Sequence, residues 1–189
     1  MELLGVFTAF GLSASAGLNA YIPLLIVALL AKFTDFLHLS KPWDALTSWW
    51  IIGLLVILSL IEFFADKIPA VNHVNDVIQT FIRPAAGAVA FAASAKMVTD
   101  IHPILSLALG LLVAGGVHTV KAAAVRPAVT AATGGAGNVP VSILEDVVSA
   151  IVSVLSVVIP VIIACFLVLV TSWLVYRVWL RAKETSSTL

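Results

Sequence analysis

Two stretches of this chain set ionisable side chains inside otherwise apolar sequence. The first runs Glu62, Asp66, Lys67, then Asn72, His73, Asn75 and Asp76, then Thr80, Arg83 and Pro84. The second runs His118, Lys121, Arg126 and Pro127, then Ser142, Glu145 and Asp146. Spacings of three and four place residues on one helix face. Glu62 thus shares a face with Asp66, Asp76 with Thr80 and Arg83, and His118 with Lys121. Arg126 points elsewhere if its helix runs on from Lys121. Each stretch also carries an Arg-Pro and a pair of acids.

Those residue types suit anion chemistry. Guanidinium forks match phosphate oxygens. A proline inside a helix frees a backbone carbonyl and opens the helix locally. Glu62, Asp66 and Glu145 suit protons or Na⁺, and histidine can switch charge near neutral pH. A charge placed in a membrane costs about 2.5–3.5 kcal/mol on insertion scales, so each needs a partner or a wet cavity. The expected pairings are Glu62 or Asp66 with Arg83 or Lys67, and Glu145 or Asp146 with Lys121 or Arg126. The expected site brings both stretches together with Asn19 in one polar pocket, to which Gly87, Gly115 and Gly116 allow close backbone approach. The plainer reading is a charge network that pins helix ends, since four bases face five acids and nearly cancel.

Other chemistry has less support. Four scattered histidines lack metal-ligand spacing, and Cys165 stands alone in an apolar run, so no metal or other cofactor is expected. The formal net charge is zero, which suggests no nucleic-acid partner. Gly134-Gly135-Ala136-Gly137-Asn138 reads as a flexible loop, because no Gly-Lys-Ser/Thr follows to make a phosphate loop. Lys121 and Arg126-Pro127 look superficially like the phosphate clamp of lipid phosphatases, but the spacing is shorter and the companion motifs are missing. An enzyme is therefore disfavoured.

The elements that must position these residues are membrane helices. Hydrophobic residues make up 61% of the 189-residue chain and charged residues 11%, with a mean hydropathy of +1.14. A soluble domain carries about 25% charge. The expected fold is an all-α, polytopic transmembrane bundle forming one integral membrane domain over 1–189, with a short polar tail at 181–189. Apolar runs cover 3–31, 49–64, 75–97, 103–124 and 147–176. The first is interrupted by Gly17 to Pro23 and the last by Pro160, so both are expected to be kinked or broken. The last run is long for one span and short for two, so a half-helix near Ser142 is an alternative. Five or six spans fit, with six preferred, and the two broken runs hint at two related halves. Trp43, Trp49 and Trp50 suit an interfacial anchor. Ser13-Ala14-Ser15-Ala16 lacks a preceding basic region and reads as a helix-packing segment rather than a cleavage site. Under either span count, Arg177, Arg181 and Lys183 fall on the more basic side, which places the C-terminus in the cytoplasm.

The sequence resembles a bacterial membrane family known as domain of unknown function 4126. The resemblance rests on Ala14 to Pro23, on Glu62-x3-Asp66-Lys67-Ile68-Pro69, on Thr80-x2-Arg83-Pro84-x2-Gly87, and on His118-x2-Lys121-x4-Arg126 with Glu145-Asp146. It implies a multi-pass protein of the bacterial inner membrane and assigns no activity or site. The residues themselves favour a transporter or translocase. Its candidate binding set is Asn19, Glu62, Asp66, Lys67, Arg83, His118, Lys121, Arg126, Glu145 and Asp146, for an anionic or phosphate-bearing small molecule or a lipid headgroup. The lipid bilayer is the expected partner, with homo-oligomers also compatible. A structural scaffold is the main alternative.

Overall fold

A computed structural model describes the backbone of residues 2–95 and 101–186. Side chains are described within these ranges except at 2–4, 69–74, 161, 163–168, 170–171, 174–175 and 177–186. The described chain is all α-helical, apart from turns and a 3-10 segment at Trp43–Thr47. Its helices are α1 (Glu2–Leu18), α2 (Tyr21–Phe33), α3 (Trp49–Ala65), α4 (Pro69–Ala95), α5 (Pro103–Val120), α6 (Arg126–Thr133) and α7 (Asn138–Ser186). A π-helical turn, Lys121–Val125, joins α5 to α6.

Three stretches are long and apolar enough to cross a membrane: Asn75–Ala95, Pro103–Thr133 and Asn138–Pro160. Gly5–Leu18, Tyr21–Phe33 and Trp49–Ala65 are shorter apolar helices. Burial is inverted relative to a water-soluble protein. Trp50, Phe7, Phe81, Ile104 and Leu112 point outward, while Arg83, Glu62, Asn19, Ser13 and Ser142 are buried. Lipid accepts the apolar exterior, and the polar groups find one another inside. This is a membrane protein.

The first apolar run breaks where glycine, asparagine and proline cluster. α1 stops at Leu18 and α2 starts at Tyr21. The last run behaves differently. α7 is one continuous helix with Pro160 inside it, and no separate half-helix precedes it. Of the two alternatives for this run, the single helix with Pro160 inside it is the one found. Proline removes one backbone hydrogen bond, but the rest of a long helix carries on around it.

Small residues hold α1, α4 and α5 together. A Cβ on Gly110 would sit 2.6 Å from Phe91 Cβ and 2.7 Å from Ala88 Cα, and one on Gly87 would strike Ala114. On Gly17 it would sit 2.6 Å from the Ala114 carbonyl. In lipid, such close approach replaces the hydrophobic drive between helices. Gly115 and Gly116 do not share this role. Gly115 makes ordinary contact with Pro84, and Gly116 faces open space. α1 runs antiparallel to α7, joined by Thr8 to the Ser156 carbonyl at 2.7 Å and Ser149 to the Ser15 carbonyl at 3.0 Å. At the far end of α2, Lys32 donates to the Thr47 carbonyl at 2.7 Å and lies over the Trp49 ring. That arrangement suits the interfacial anchor expected of Trp49. Gly134 and Gly135 adopt positive φ of 62° and 92° and close α6 before α7 begins.

Gly110→Ala should therefore lower stability by about 1–3 kcal/mol, the usual cost of overpacking. Gly53→Ala, whose new Cβ meets nothing within 4 Å, should be neutral or slightly stabilising. Thermal unfolding of the two variants in the same detergent checks this, and equal midpoints would contradict the packing.

Candidate functional site

The helix break sits beside the charges. Asn19 Oδ1 accepts from the backbone N–H groups of Tyr21 and Ile22 at 3.1 and 3.0 Å, and so caps α2. Its amide nitrogen donates to Asp146 at 2.9 Å. The Ala20 N–H donates to the Glu62 carboxylate at 3.2 Å. Lys121 Nζ donates to the Leu18 carbonyl at 3.0 Å. An anion thus meets the N-terminal end of α2 and a cation the C-terminal end of α1, each matched to the helix dipole.

From this break the network spreads across α3, α4, the π turn and α7. Arg83 is fully buried and donates to Glu62 from Nη2 at 2.9 Å and from Nε at 3.2 Å. Arg83 Nη2 also reaches Asp66 at 3.5 Å. Arg126 Nη2 lies 3.6 Å from that same Asp66 oxygen and donates to Glu145 at 2.9 Å. Lys121 pairs with the same Glu145 oxygen at 2.9 Å, and Lys67 pairs with Asp146 at 3.0 Å. Asn75 and Ser142 add hydrogen bonds to Asp66 at 2.6 and 3.4 Å. Seven of the ten candidates, Glu62, Asp66, Arg83, His118, Lys121, Arg126 and Glu145, form one bonded cluster, and Asn19, Lys67 and Asp146 form a second that joins it through the Ala20 N–H on Glu62. Four acids (Glu62, Asp66, Glu145, Asp146) face four bases (Lys67, Arg83, Lys121, Arg126), so the formal charge cancels. Asp76 makes no ion pair among the described residues, which leaves one acid fewer than the sequence count of five.

The π turn explains how Arg126 joins. Five residues along an α-helix leave two side chains about 140° apart. Here the Arg126 N–H bonds to the Lys121 carbonyl, so the same five residues close one turn and stack Arg126 above Lys121. Pro127 supplies the cause: it lacks an N–H and its ring pushes on the preceding turn. Such π-bulges recur at functional sites.

His118 is fixed from both sides. Arg83 Nη1 donates to Nδ1 at 3.3 Å, which leaves the proton on Nε2 to reach Thr80 Oγ1 at 3.2 Å. Thr80 passes its own proton to the Asp76 carbonyl at 2.8 Å. Two buried donors, Nε and Nη1 of Arg126, meet no acceptor among the described residues. Native proteins leave few such groups.

Sequence reading overlooked Gln79, which is buried on the Asn75–Arg83 face at the spacing of four that could have flagged it. It also missed the backbone groups of Leu18 and Ala20, which no side-chain pattern reveals. His38 and His102 are exposed, and His102 caps α5. The side chains of Asn72, His73 and Cys165 lie outside the described residues. Among the described residues, no three His, Cys, Asp or Glu side chains group to hold a metal.

The fold and site together define a helical membrane protein with a buried charge network. The chain matches the family described as "Domain of unknown function (DUF4126)" over residues 6–181 and belongs to that family. No curated protein and no solved structure matches it.

Breaking a buried pair strands a charge and costs about 3–5 kcal/mol. Arg83→Gln should lower stability by that amount, and Glu62→Gln in the same chain should recover part of the loss. Asp76→Asn should change little. Unfolding midpoints of the three proteins in detergent check this, and full tolerance of Arg83→Gln alone would contradict the pairing.

Proposed function

We propose that this protein is an integral membrane transporter or translocase whose charged site binds an anionic, phosphate-bearing group. The helix break between α1 and α2 is the observation that carries this reading. Discontinuous membrane helices whose ends meet charged groups are the recurring architecture of transporter binding sites. Here the two ends meet Glu62 and Lys121.

Arg126 is the centre of the proposed anion site. Its Nε and Nη1 have no acceptor, and each flanks Nη2, so an anion that displaces Glu145 from Nη2 meets a two-donor face suited to phosphate oxygens. Lys121 supplies a second positive charge, and Glu145 occupies both cations while no anion is bound. Because the network is neutral, an incoming anion exchanges with Glu145 instead of falling into an irreversible well. Arg83, Glu62, Asp66 and His118 form the fixed wall behind this exchange, while Lys67, Asp146 and Asn19 tie α7 and the helix break to it. The balanced pairing of four acids and four bases equally suits a scaffold, in which the network only fastens helices. The ring of His118 is engaged by Arg83 and Thr80, which disfavours its use as a nucleophile. The protein is read as residing in the bacterial inner membrane as one domain, with its C-terminus in the cytoplasm.

Proteoliposomes carrying the full chain test the reading. The two probes are radiolabelled inorganic phosphate for uptake and short-chain fluorescent phosphatidic acid for movement between leaflets. Arg126→Gln should reduce movement of whichever probe is carried at least tenfold, and Arg126→Lys should retain part of it. No protein-dependent movement of either probe, with the protein folded, would favour the scaffold.

A further inference from the structure

We infer that the phosphate-bearing group is the headgroup of a membrane lipid, which enters sideways through an apolar groove between α5 and α7. The inference rests on the anion-site reading above and names its substrate class. α1 packs against both α5 and α7 and holds them apart. The space left is a groove of about 480 Å³, within the size range of small-molecule sites. Gly116, Val117 and Val120 form one wall, and Leu144 and Val148 the other. Only two lining residues are ionisable, Lys121 and Glu145, and both belong to the buried network.

The groove therefore has an apolar length and a charged end. A hydrated anion gains nothing from valine and leucine walls. A lipid matches both parts, its chain along the walls and its phosphate at Lys121. Behind the lining, the Glu145 oxygen that holds Lys121 also holds Arg126, both at 2.9 Å. A phosphate that displaces this carboxylate gains Lys121 Nζ and comes next to Arg126, whose Nε and Nη1 have no acceptor. Val120 and Leu144, which line the groove, are themselves exposed, so the groove opens to the outside of the bundle. An unsubstituted phosphate suits this end best, because a choline group would bring a positive charge to Lys121.

Gly116 makes the groove testable. A Cβ there meets nothing within 4 Å, and Gly116 lines the groove, so a larger side chain extends into it. Native mass spectrometry of the full chain in detergent reads binding directly, with phosphatidic acid and phosphatidylcholine at equal concentration and inorganic phosphate in a separate arm. Wild type should prefer phosphatidic acid at least tenfold. Gly116→Leu and Val120→Trp should each lower its binding at least tenfold, while Gly53→Leu, placed where nothing lies within 4 Å, should leave it unchanged. Wild-type binding of phosphatidic acid by both groove variants would overturn the lateral route. Arg126-dependent binding of inorganic phosphate without binding of phosphatidic acid would overturn the lipid and leave the anion site standing. Binding of neither probe would remove both.

Discussion

Asp66 holds the two parts of the site together. Its carboxylate receives Arg83 from one sequence cluster and Arg126 from the other. In a membrane neither arginine can be left unpaired without a cost of several kcal/mol. Arg83 also meets Glu62 and Arg126 also meets Glu145, each at 2.9 Å, so the three acids together set where α4 and the π turn lie relative to α3 and α7. Glu62 then fastens Arg83 to the N-terminal end of α2, Lys121 fastens the π turn to the C-terminal end of α1, and Asp146 fastens α7 to Lys67 and Asn19. The helix packing and the charge network are one arrangement, since the small-residue crossing at Gly87 and Gly110 brings α4 and α5 close enough for Arg83 to reach His118.

Two departures from regular helix make this possible. The break at Asn19 and Ala20 exposes backbone donors and acceptors at the level of the charges. The π turn rotates Arg126 toward Glu145. Each would be costly facing lipid, where unsatisfied backbone groups have no water to turn to. Both are tolerated because charged partners lie within hydrogen-bond distance. The result is a polar interior beside a groove that Lys121 and Glu145 help to line.

Much of this was legible in sequence, for physical reasons. Composition revealed the membrane, and the requirement that buried charges be paired gave Glu62 or Asp66 with Arg83 or Lys67 and Glu145 or Asp146 with Lys121 or Arg126; Arg83, Lys121 and Arg126 pair within those sets, while Lys67 crosses to Asp146. Gly17 to Pro23 marked the break in the first run. Pro160 left a kinked helix and a broken one open, and a single proline near the middle of a 49-residue helix does not stop it. Arg126 was off the Lys121 face only if an α-helix ran on, and the π turn removes that condition. Gly116 was assigned to close packing but faces the groove, since glycine signals either contact or space and only neighbours decide which. The meeting of the two clusters depends on contacts between residues 35 to 79 positions apart, which no local pattern encodes.

The central claim, that these clusters form one paired network, is tested most directly by a charge swap at Lys67 and Asp146, 3.0 Å apart. Lys67→Asp, Asp146→Lys and the double variant are compared by thermal unfolding in detergent. Each single change places like charges together. The account predicts that both singles are destabilised and that the double regains much of the loss, with a coupling within about 0.5–3 kcal/mol. Strictly additive effects, with the double less stable than either single variant, would contradict it.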